Sequence, residues 1–306
     1  MIKTYIKTLG EPELKILDDF EPSGWTYVEN PSDTELLKLS QHYGLDIGLL
    51  KDAADFYELP RIEIEKGVTY IYTQFPYKLG ADIVTIPVLF IIGKNFFVTV
   101  SEKEFPFIKH FTSERTDFYT TQKTKLFLQL FYQINRTYSI FLHQIMRQVK
   151  SSRIKLEKIT NNDVVQLVIF EEVLNNFMSI LVPTKNVLNS VLSGRYMQLF
   201  EEDKDLLEDL FLDIGQLVEI CRANLKNIVN IRDAYSTIMT NNLNNVVKLL
   251  TSLTVILMVP TLISSLYGMN VQLPFAESPL AFIGITLLTL LLSLVLFIVF
   301  IRKRFF

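Results

Sequence analysis

The sequence predicts an α/β domain, a long helical stalk and a C-terminal hairpin of two transmembrane helices. Three observations carry this. Residues 246 to 306 hold two uncharged apolar runs, Leu249 to Leu266 and Leu280 to Ile301, separated by a turn that opens Tyr267-Gly268-Met269-Asn270. Each run is long enough to cross a hydrocarbon core of about 30 Å as a helix rising about 1.5 Å per residue. Ahead of them, from about residue 203, only Gly215 and Pro260 interrupt a helical pattern, so one helix is expected to run from the stalk into the first span. The first 115 or so residues instead alternate short β-rich runs with turn signals and two capped helices.

Taken in order, the first domain (residues 1–118) shows β-rich runs at Lys3 to Leu9, Gly24 to Glu29, Thr69 to Tyr77, Ile83 to Ile92 and Phe96 to Val100. Ser32 to Tyr43 and Asp46 to Phe56 read as helices, with Ser32 and Asp46 as N-caps and Gly44 as the stop of the first. Residues 119–200 read as an antiparallel pair of long helices. Thr121 to Lys158 has almost no breaker, Asn161-Asn162-Asp163 interrupts it, and Asp163 with Gln166 resembles a capping box that restarts a helix. Pro183 is expected to bend or end that helix before it resumes to about Leu192.

The stalk (residues 201–245) places apolar residues at Leu207, Leu210, Ile214, Leu217, Cys221, Leu225, Ile228, Ile231, Tyr235 and Ile238. Steps of mostly 3 and 4 make a coiled-coil-like seam, which needs the preceding hairpin and further copies of the chain as partners.

Charge and composition exclude several classes. The formal net charge of −3 over 306 residues hides an asymmetry. Setting aside Lys248, Arg302, Lys303, Arg304 and Glu277 leaves 26 basic and 32 acidic residues before position 246. Such a surface concentrates cations and does not suit nucleic acid. A single Cys221 rules out an intrachain disulfide, and His42, His110 and His143 are too dispersed for a metal cluster. No phosphate-binding glycine loop, nucleophile elbow or metal triad marks an enzyme, and no organic cofactor is implied.

Topology follows from the tail. Arg302-Lys303-Arg304, with Lys248 at the start of the first span, marks the cytoplasmic side. The loop from Gly268 to Pro279 carries only Glu277, so it faces out and both termini face in. Tyr267, Phe275 and Phe282 suit the outer interface, and Phe305-Phe306 the inner one. The turn between the two long helices is basic, with Lys150, Arg153, Lys155 and Lys158 against Glu157 and Asp163, and reads as a solvated turn rather than a lipid contact.

The chemistry of the loop is legible from its residues. Mg²⁺ dehydrates reluctantly. Repeated around an axis, the amide oxygen of Asn270 can accept hydrogen bonds from the water shell of a hydrated cation. Gly268 is expected to let the backbone turn where the helix ends, and Met269 to pack and hold the turn. The polar residues Thr251, Ser252, Thr254, Thr261, Ser264 and Ser265 of the first span, against only Thr286, Thr289 and Ser293 in the second, are read as facing a protein interior or water, with helix–helix hydrogen bonding as the alternative that needs no pore.

Gly268-Met269-Asn270, placed at the exit of the first of two C-terminal spans after a long stalk and before a basic tail, resembles the hallmark of the CorA family of magnesium and cobalt channels. The resemblance implies a homopentameric, funnel-shaped channel in the plasma membrane, with the first span lining the pore and the second facing the lipid bilayer. The expected cargo is Mg²⁺, with Co²⁺ and Ni²⁺ as further candidates. Asn244, Val247, Leu250, Met258 and Thr261 then match the pore face, a polar ring followed by an apolar constriction. Val247 departs from the Met of the pattern and narrows the pore less. Asp233 matches an acidic ring at the cytoplasmic mouth. Asp209, with Asp213 one turn on, matches an intersubunit site where cytoplasmic Mg²⁺ would favour the closed state; Asp52, Asp55 and Asp82 are the candidates for its partner. The competing readings are a Zn²⁺ transporter of the related ZntB type and a membrane-anchored sensor or scaffold without transport.

Overall fold

In the computed structural model the described residues are 1–113, 116–154, 160–271 and 280–303, with residues 153, 154 and 281 described by their backbone alone. They divide into two units, Met1–Asn230 and Ile231–Phe306.

The first unit is built on a seven-stranded sheet. Its strands are β1 (Ile2–Ile6), β2 (Lys15–Leu17), β3 (Trp25–Glu29), β4 (Arg61–Glu65), β5 (Val68–Leu79), β6 (Asp82–Ile92) and β7 (Phe97–Ser101), in the order β2-β1-β3-β7-β6-β5-β4. All pairs are antiparallel except β3 with β7. Gly80, at φ +63°, turns β5 into β6, whose register runs from Leu79↔Asp82 to Thr69↔Ile92. Two prolines sit inside these strands without breaking them. Pro76 lies beyond the part of β5 that β4 pairs, and Pro87 just beyond the part of β6 that β7 pairs, so neither removes a ladder bond on a second side.

Alternation along the strands sends two different cores to the two faces. Val28, Tyr70, Tyr72, Leu89, Ile91, Val98 and Val100 pack with Leu36, Leu39 and Leu50 of α1 (Asp33–Tyr43) and α2 (Ile47–Asp52). The other face is aromatic. Trp25 meets Phe111 of α3 (Ile108–Thr112) at 5.8 Å, and Phe90 meets Phe127 of α4 (Lys123–Ile154) at 5.2 Å. The Trp25 indole N–H donates to Thr99 Oγ1 at 2.9 Å, which satisfies the one polar atom of a fully buried ring.

The helix ends follow the sequence closely at α1. Ser32 accepts from the Glu35 amide while the Glu35 carboxylate accepts from the Ser32 amide, and Gly44 closes the helix in the left-handed region at φ +67°. Asp46 caps α2 through the amides of Gly48 and Leu49. Helix α2 stops at Asp52, four residues short of the expected Phe56. Strands β2 and β4 and helix α3 carry no strong sequence signal. The first is three exposed residues, and the second is a charged edge strand, Arg-Ile-Glu-Ile-Glu.

The next helix differs from expectation in two ways. It is α5 (Asn161–Leu192), and its cap is Thr160, with Asp163 as the reciprocal partner rather than the cap. A short Asn-Asn pair between two possible caps leaves the choice to geometry. Pro183 lies inside α5 and does not end it. The flanking residues Ile180, Leu181, Thr184 and Val187 are all buried, so tertiary packing holds the turn where a hydrogen bond is missing. The inter-helix turn residues Lys155, Glu157 and Lys158 lie outside the described residues, as does the Arg153 side chain.

Helix α6 (Glu201–Tyr267) is continuous over 67 residues. Its expected seam is buried at Leu207, Leu210, Ile214, Leu217, Cys221, Ile228 and Ile231. Cys221, sealed in this seam, has its thiol pushed up to about 12 by burial. From Met239 to Thr251 every residue is exposed, on all sides of the helix.

The second unit contains the rest of α6 and α7 (Ala281–Arg302). Helices α5, α6 and α7 are each long and apolar enough to cross a membrane. The apolar window of α5 is 39% buried, against 6% for the other two, so α5 spends its apolar side on the protein interior.

Candidate functional site

The two C-terminal helices each present one covered stripe. On α7 it is Ile285, Thr289, Ser293, Leu296 and Phe300, spaced by 4, 4, 3 and 4. On α6 it is Ser252, Val255, Ile256, Val259, Pro260 and Ile263. Both stripes have the period of a helix face. Beyond Met239, Ser252 and Thr289 are the buried side chains among the described residues, at 1% and 8% exposure.

The stripe on α6 begins at Ser252; before it, from Met239 to Thr251, the helix is open on every side. At about 100° per residue, Asn244, Val247, Leu250, Met258 and Thr261 share an arc of roughly 120°, centred roughly 150° from the covered stripe. All five are exposed, as is Asp233, which falls in the same arc. Val247, Leu250 and Met258 are 52%, 58% and 64% exposed, an apolar band with nothing from its own chain against it. The positions that the resemblance matches to a pore face thus lie off the covered stripe, among the residues that a single copy leaves exposed.

The hydroxyls of the spans tell less than their positions suggest. Thr251, Thr254 and Thr261 donate to the carbonyls of Val247, Leu250 and Leu257, each at 2.8 Å. Ser252 donates to Lys248 O at 2.7 Å and Thr289 to Ile285 O at 2.6 Å. A hydroxyl bonded four residues back needs no water, so polar residues in the first span do not by themselves mark a pore. Ser252 in fact lies on the covered stripe, opposite the candidate face. Thr251, Thr254 and Thr261 are exposed on the open side.

At the outer end, the Gly268 amide donates to Ser264 O at 3.0 Å and the Met269 amide to Leu266 O at 3.3 Å, a last tight turn of α6. Gly268 follows Tyr267, the last residue of α6, where the sequence places the helix end, and its φ is not in the left-handed region. Its role is closeness. A Cβ there would stand 3.2 Å from Ser264 O and 3.6 Å from Ser265 O. Met269 is 54% exposed and packs little within one chain, and Asn270 follows it in an exposed bend. Phe275 and Glu277 of the loop, and Arg304, Phe305 and Phe306 of the tail, lie outside the described residues.

Asp209 and Asp213 are exposed on α6, one turn apart. Among the described residues no group of three or more His, Cys, Asp or Glu side chains is assembled to hold a metal. Of the suggested partners, Asp52 is engaged by the Arg61 guanidinium at 2.8 Å, and Asp55 accepts the Tyr57 amide at 2.9 Å. Asp82 is exposed at the β5–β6 turn. Asp203, in the acidic first turn of α6, is buried, and its carboxylate accepts the Phe200 amide at 3.4 Å.

The chain is 25% identical over 292 residues to the cobalt/magnesium transport protein CorA of Methanocaldococcus jannaschii, covering 92% of this chain and 90% of the relative. The complete structure of the CorA magnesium transporter from that organism superposes with a TM-score of 0.86 at 22% identity, covering 99% of this chain and 98% of the other. The ZntB cytoplasmic domain of Vibrio parahaemolyticus shares the fold more distantly, with a TM-score of 0.65 at 8% identity over 78% of this chain and 98% of that domain. Residues 23–303 match the family described as CorA-like Mg2+ transporter protein, and the chain belongs to that family.

Proposed function

We propose that the chain is one subunit of a homopentameric channel that carries hydrated Mg²⁺ across the plasma membrane, with Co²⁺ and Ni²⁺ as further cargo. The spans are residues 249–267 and 280–301, and both termini are cytoplasmic. The observation that carries this reading is the bare face of α6, Asp233 to Thr261, leading to the turn at Gly268-Met269-Asn270. Copies arranged around an axis would cover that face with one another. Asn270 would offer amide oxygens to the cation's water shell at the outer mouth, and Val247, Leu250 and Met258 would form an apolar constriction that gates by excluding water.

Cytoplasmic Mg²⁺ at Asp209 regulates the gate. Bound ion bridges neighbouring subunits and favours the closed state; without it, like charges repel and loosen the ring. The exposure of Asp209 and Asp213, and the lack of a metal-holding group within the described residues of one chain, support an intersubunit site.

A Zn²⁺ cargo is the second reading, favoured by the likeness to a ZntB cytoplasmic domain. That likeness concerns the fold of a soluble portion. The bare face of α6 has no Cys or His, the ligand types Zn²⁺ prefers. The test is uptake by liposomes containing the purified chain, with Mg²⁺, Co²⁺ and Zn²⁺ offered in turn and repeated with Asn270→Ala. Mg²⁺ uptake that Asn270→Ala abolishes is expected. Uptake of Zn²⁺ alone selects the second reading, and no uptake of any cation overturns both.

A further inference from the structure

Helix α4 contains six Lys or Arg residues and no Asp or Glu in 32 residues, within a chain of net charge −3. The whole-chain tally conceals this. Arg136, His143, Arg147 and Lys150 are all exposed. At about 100° per residue they fall in a strip of roughly 60°. The opposite side of the helix is the buried one, with Tyr138, Leu142, Ile145 and Val149. Among the described residues an ion pair reaches Lys125, from Glu202 at 3.7 Å, but none reaches Arg136, Arg147 or Lys150.

The free end of the α4–α5 hairpin adds apolar surface to this charge. Tyr138 meets Phe177 edge-on at 4.9 Å, which sets the antiparallel register. Counting from that pair at equal rise puts Lys150 level with Val165 and Arg147 level with Val168. Val165, Val168 and Ile169 are 58%, 49% and 43% exposed. The first carboxylates beyond the cap are Glu171 and Glu172, farther up α5. Cations without partners beside bare branched side chains suit the headgroup level of a bilayer: the cations meet phosphates and the apolar groups reach the acyl boundary.

Against the solvated turn expected from the sequence, we propose that the free end of the α4–α5 hairpin docks on anionic lipid headgroups, with Arg147 and Lys150 on the phosphates and Val165 and Ile169 seated at the boundary. The proposal rests on the reading that residues 249–267 and 280–301 span a membrane. It makes the hairpin a sensor of lipid charge on the cytoplasmic side, separate from the cation path along α6.

The test uses the full chain in lipid nanodiscs, one set of phosphatidylcholine and one with phosphatidylglycerol replacing a third of it. A fluorophore is attached at Val165→Cys; Cys221 is fully buried, so the reagent goes to the new thiol. A nitroxide on the lipid headgroups acts as quencher. Quenching is expected in the anionic discs and not in the neutral ones. At about fivefold per basic side chain, Arg147→Gln with Lys150→Gln lowers the docked-to-undocked ratio roughly thirtyfold. The same label at Tyr57, 90% exposed on the sheet domain, is expected to stay unquenched in both.

Incorporation into discs is read first. A chain that does not incorporate overturns the spans and this proposal together. Incorporation with quenching that ignores lipid charge or the double variant overturns the docking alone. Equal quenching at Tyr57 does so as well, and so does a change in subunit number on the double substitution, which would make the strip a contact between copies.

Discussion

Gly268 and Ser264 approach so closely that the amide of one donates to the carbonyl of the other at 3.0 Å, and a methyl group on Gly268 would stand 3.2 Å from that same oxygen. The backbone is in an ordinary region, so the constraint is space and not handedness. Gly268→Ala requires the Ser264 carbonyl to give by a few tenths of an ångström at the end of α6. Mg²⁺ flux in liposomes should fall sharply while the thermal melting of the Met1–Asn230 unit stays unchanged. Full flux in the variant would show that the turn tolerates the displacement.

Val247 offers a test of the constriction. It is 52% exposed on the bare face, and its side chain is shorter than the Met of the family pattern. Val247→Met is expected to lower the basal leak seen in electrical recordings, because a longer apolar side chain excludes water more completely. Val247→Asn is expected to raise it. The same leak in both variants would place the gate elsewhere.

Asp209→Ala is expected to weaken the closing effect of cytoplasmic Mg²⁺ while leaving maximal flux near that of the unchanged chain. The measurement is current against cytoplasmic Mg²⁺ in excised patches. An unchanged Mg²⁺ dependence would remove Asp209 from regulation. The double change Asp209→Ala with Asp213→Ala shows whether the neighbouring carboxylate substitutes for it.

Ser293 has a buried hydroxyl oxygen with no hydrogen-bond partner, on the covered stripe of α7. An unsatisfied buried hydroxyl costs about 1–3 kcal/mol. Ser293→Ala is therefore expected to be neutral or stabilising in a detergent melting experiment. A clear loss of stability would mean that the hydroxyl finds a partner in the assembled protein.

The Ser32–Glu35 box predicts a pH effect in the soluble domain. The Ser32 amide bonded to the Glu35 carboxylate, followed by the chain terminus nearby, holds that carboxyl below its usual range. A depressed carboxylate stabilises the fold above its unfolded pKa, about 4.3, and loses that contribution as pH falls through the lower, folded value. Ser32→Ala should cost about 1 kcal/mol at neutral pH. The Ser32 amide survives in that variant, so the acid limb is tested with Glu35→Gln, which removes the titrating carboxyl: a smaller drop below pH about 4 than in the unchanged chain would bear this out; identical acid limbs would not.

The parts of the fold that were legible in the sequence are those with strong local chemistry. Ser32, Gly44 and Asp46 announce their caps through residue type alone, and the seam of α6 through its spacing. What was not legible depends on distant partners. Strand β4 is a charged edge whose reason is the register Arg61↔Tyr72. Pro183 stays helical because its neighbours are buried. The same division holds at the site. Spacing picks out the face from Asn244 to Thr261, but the covering of Ser252 identifies the opposite side, and the partners of the threonine hydroxyls cannot be read from a string of letters. The unbroken positive charge of α4 was available in the sequence and is obscured when charge is summed over the chain.

The stretch from Met239 to Lys248 is exposed on every side within one chain, although it includes Leu243, Val246 and Val247. A helix cannot hold such side chains in water without a partner. Folding of this segment and association of copies are then one event, so melting temperature should depend on protein concentration as for an obligate oligomer. Newly made subunits would pass through a vulnerable interval, open to proteolysis in this stretch until neighbours arrive. The supply of partner subunits, and not only the sequence of one chain, would set how much folded protein a cell holds.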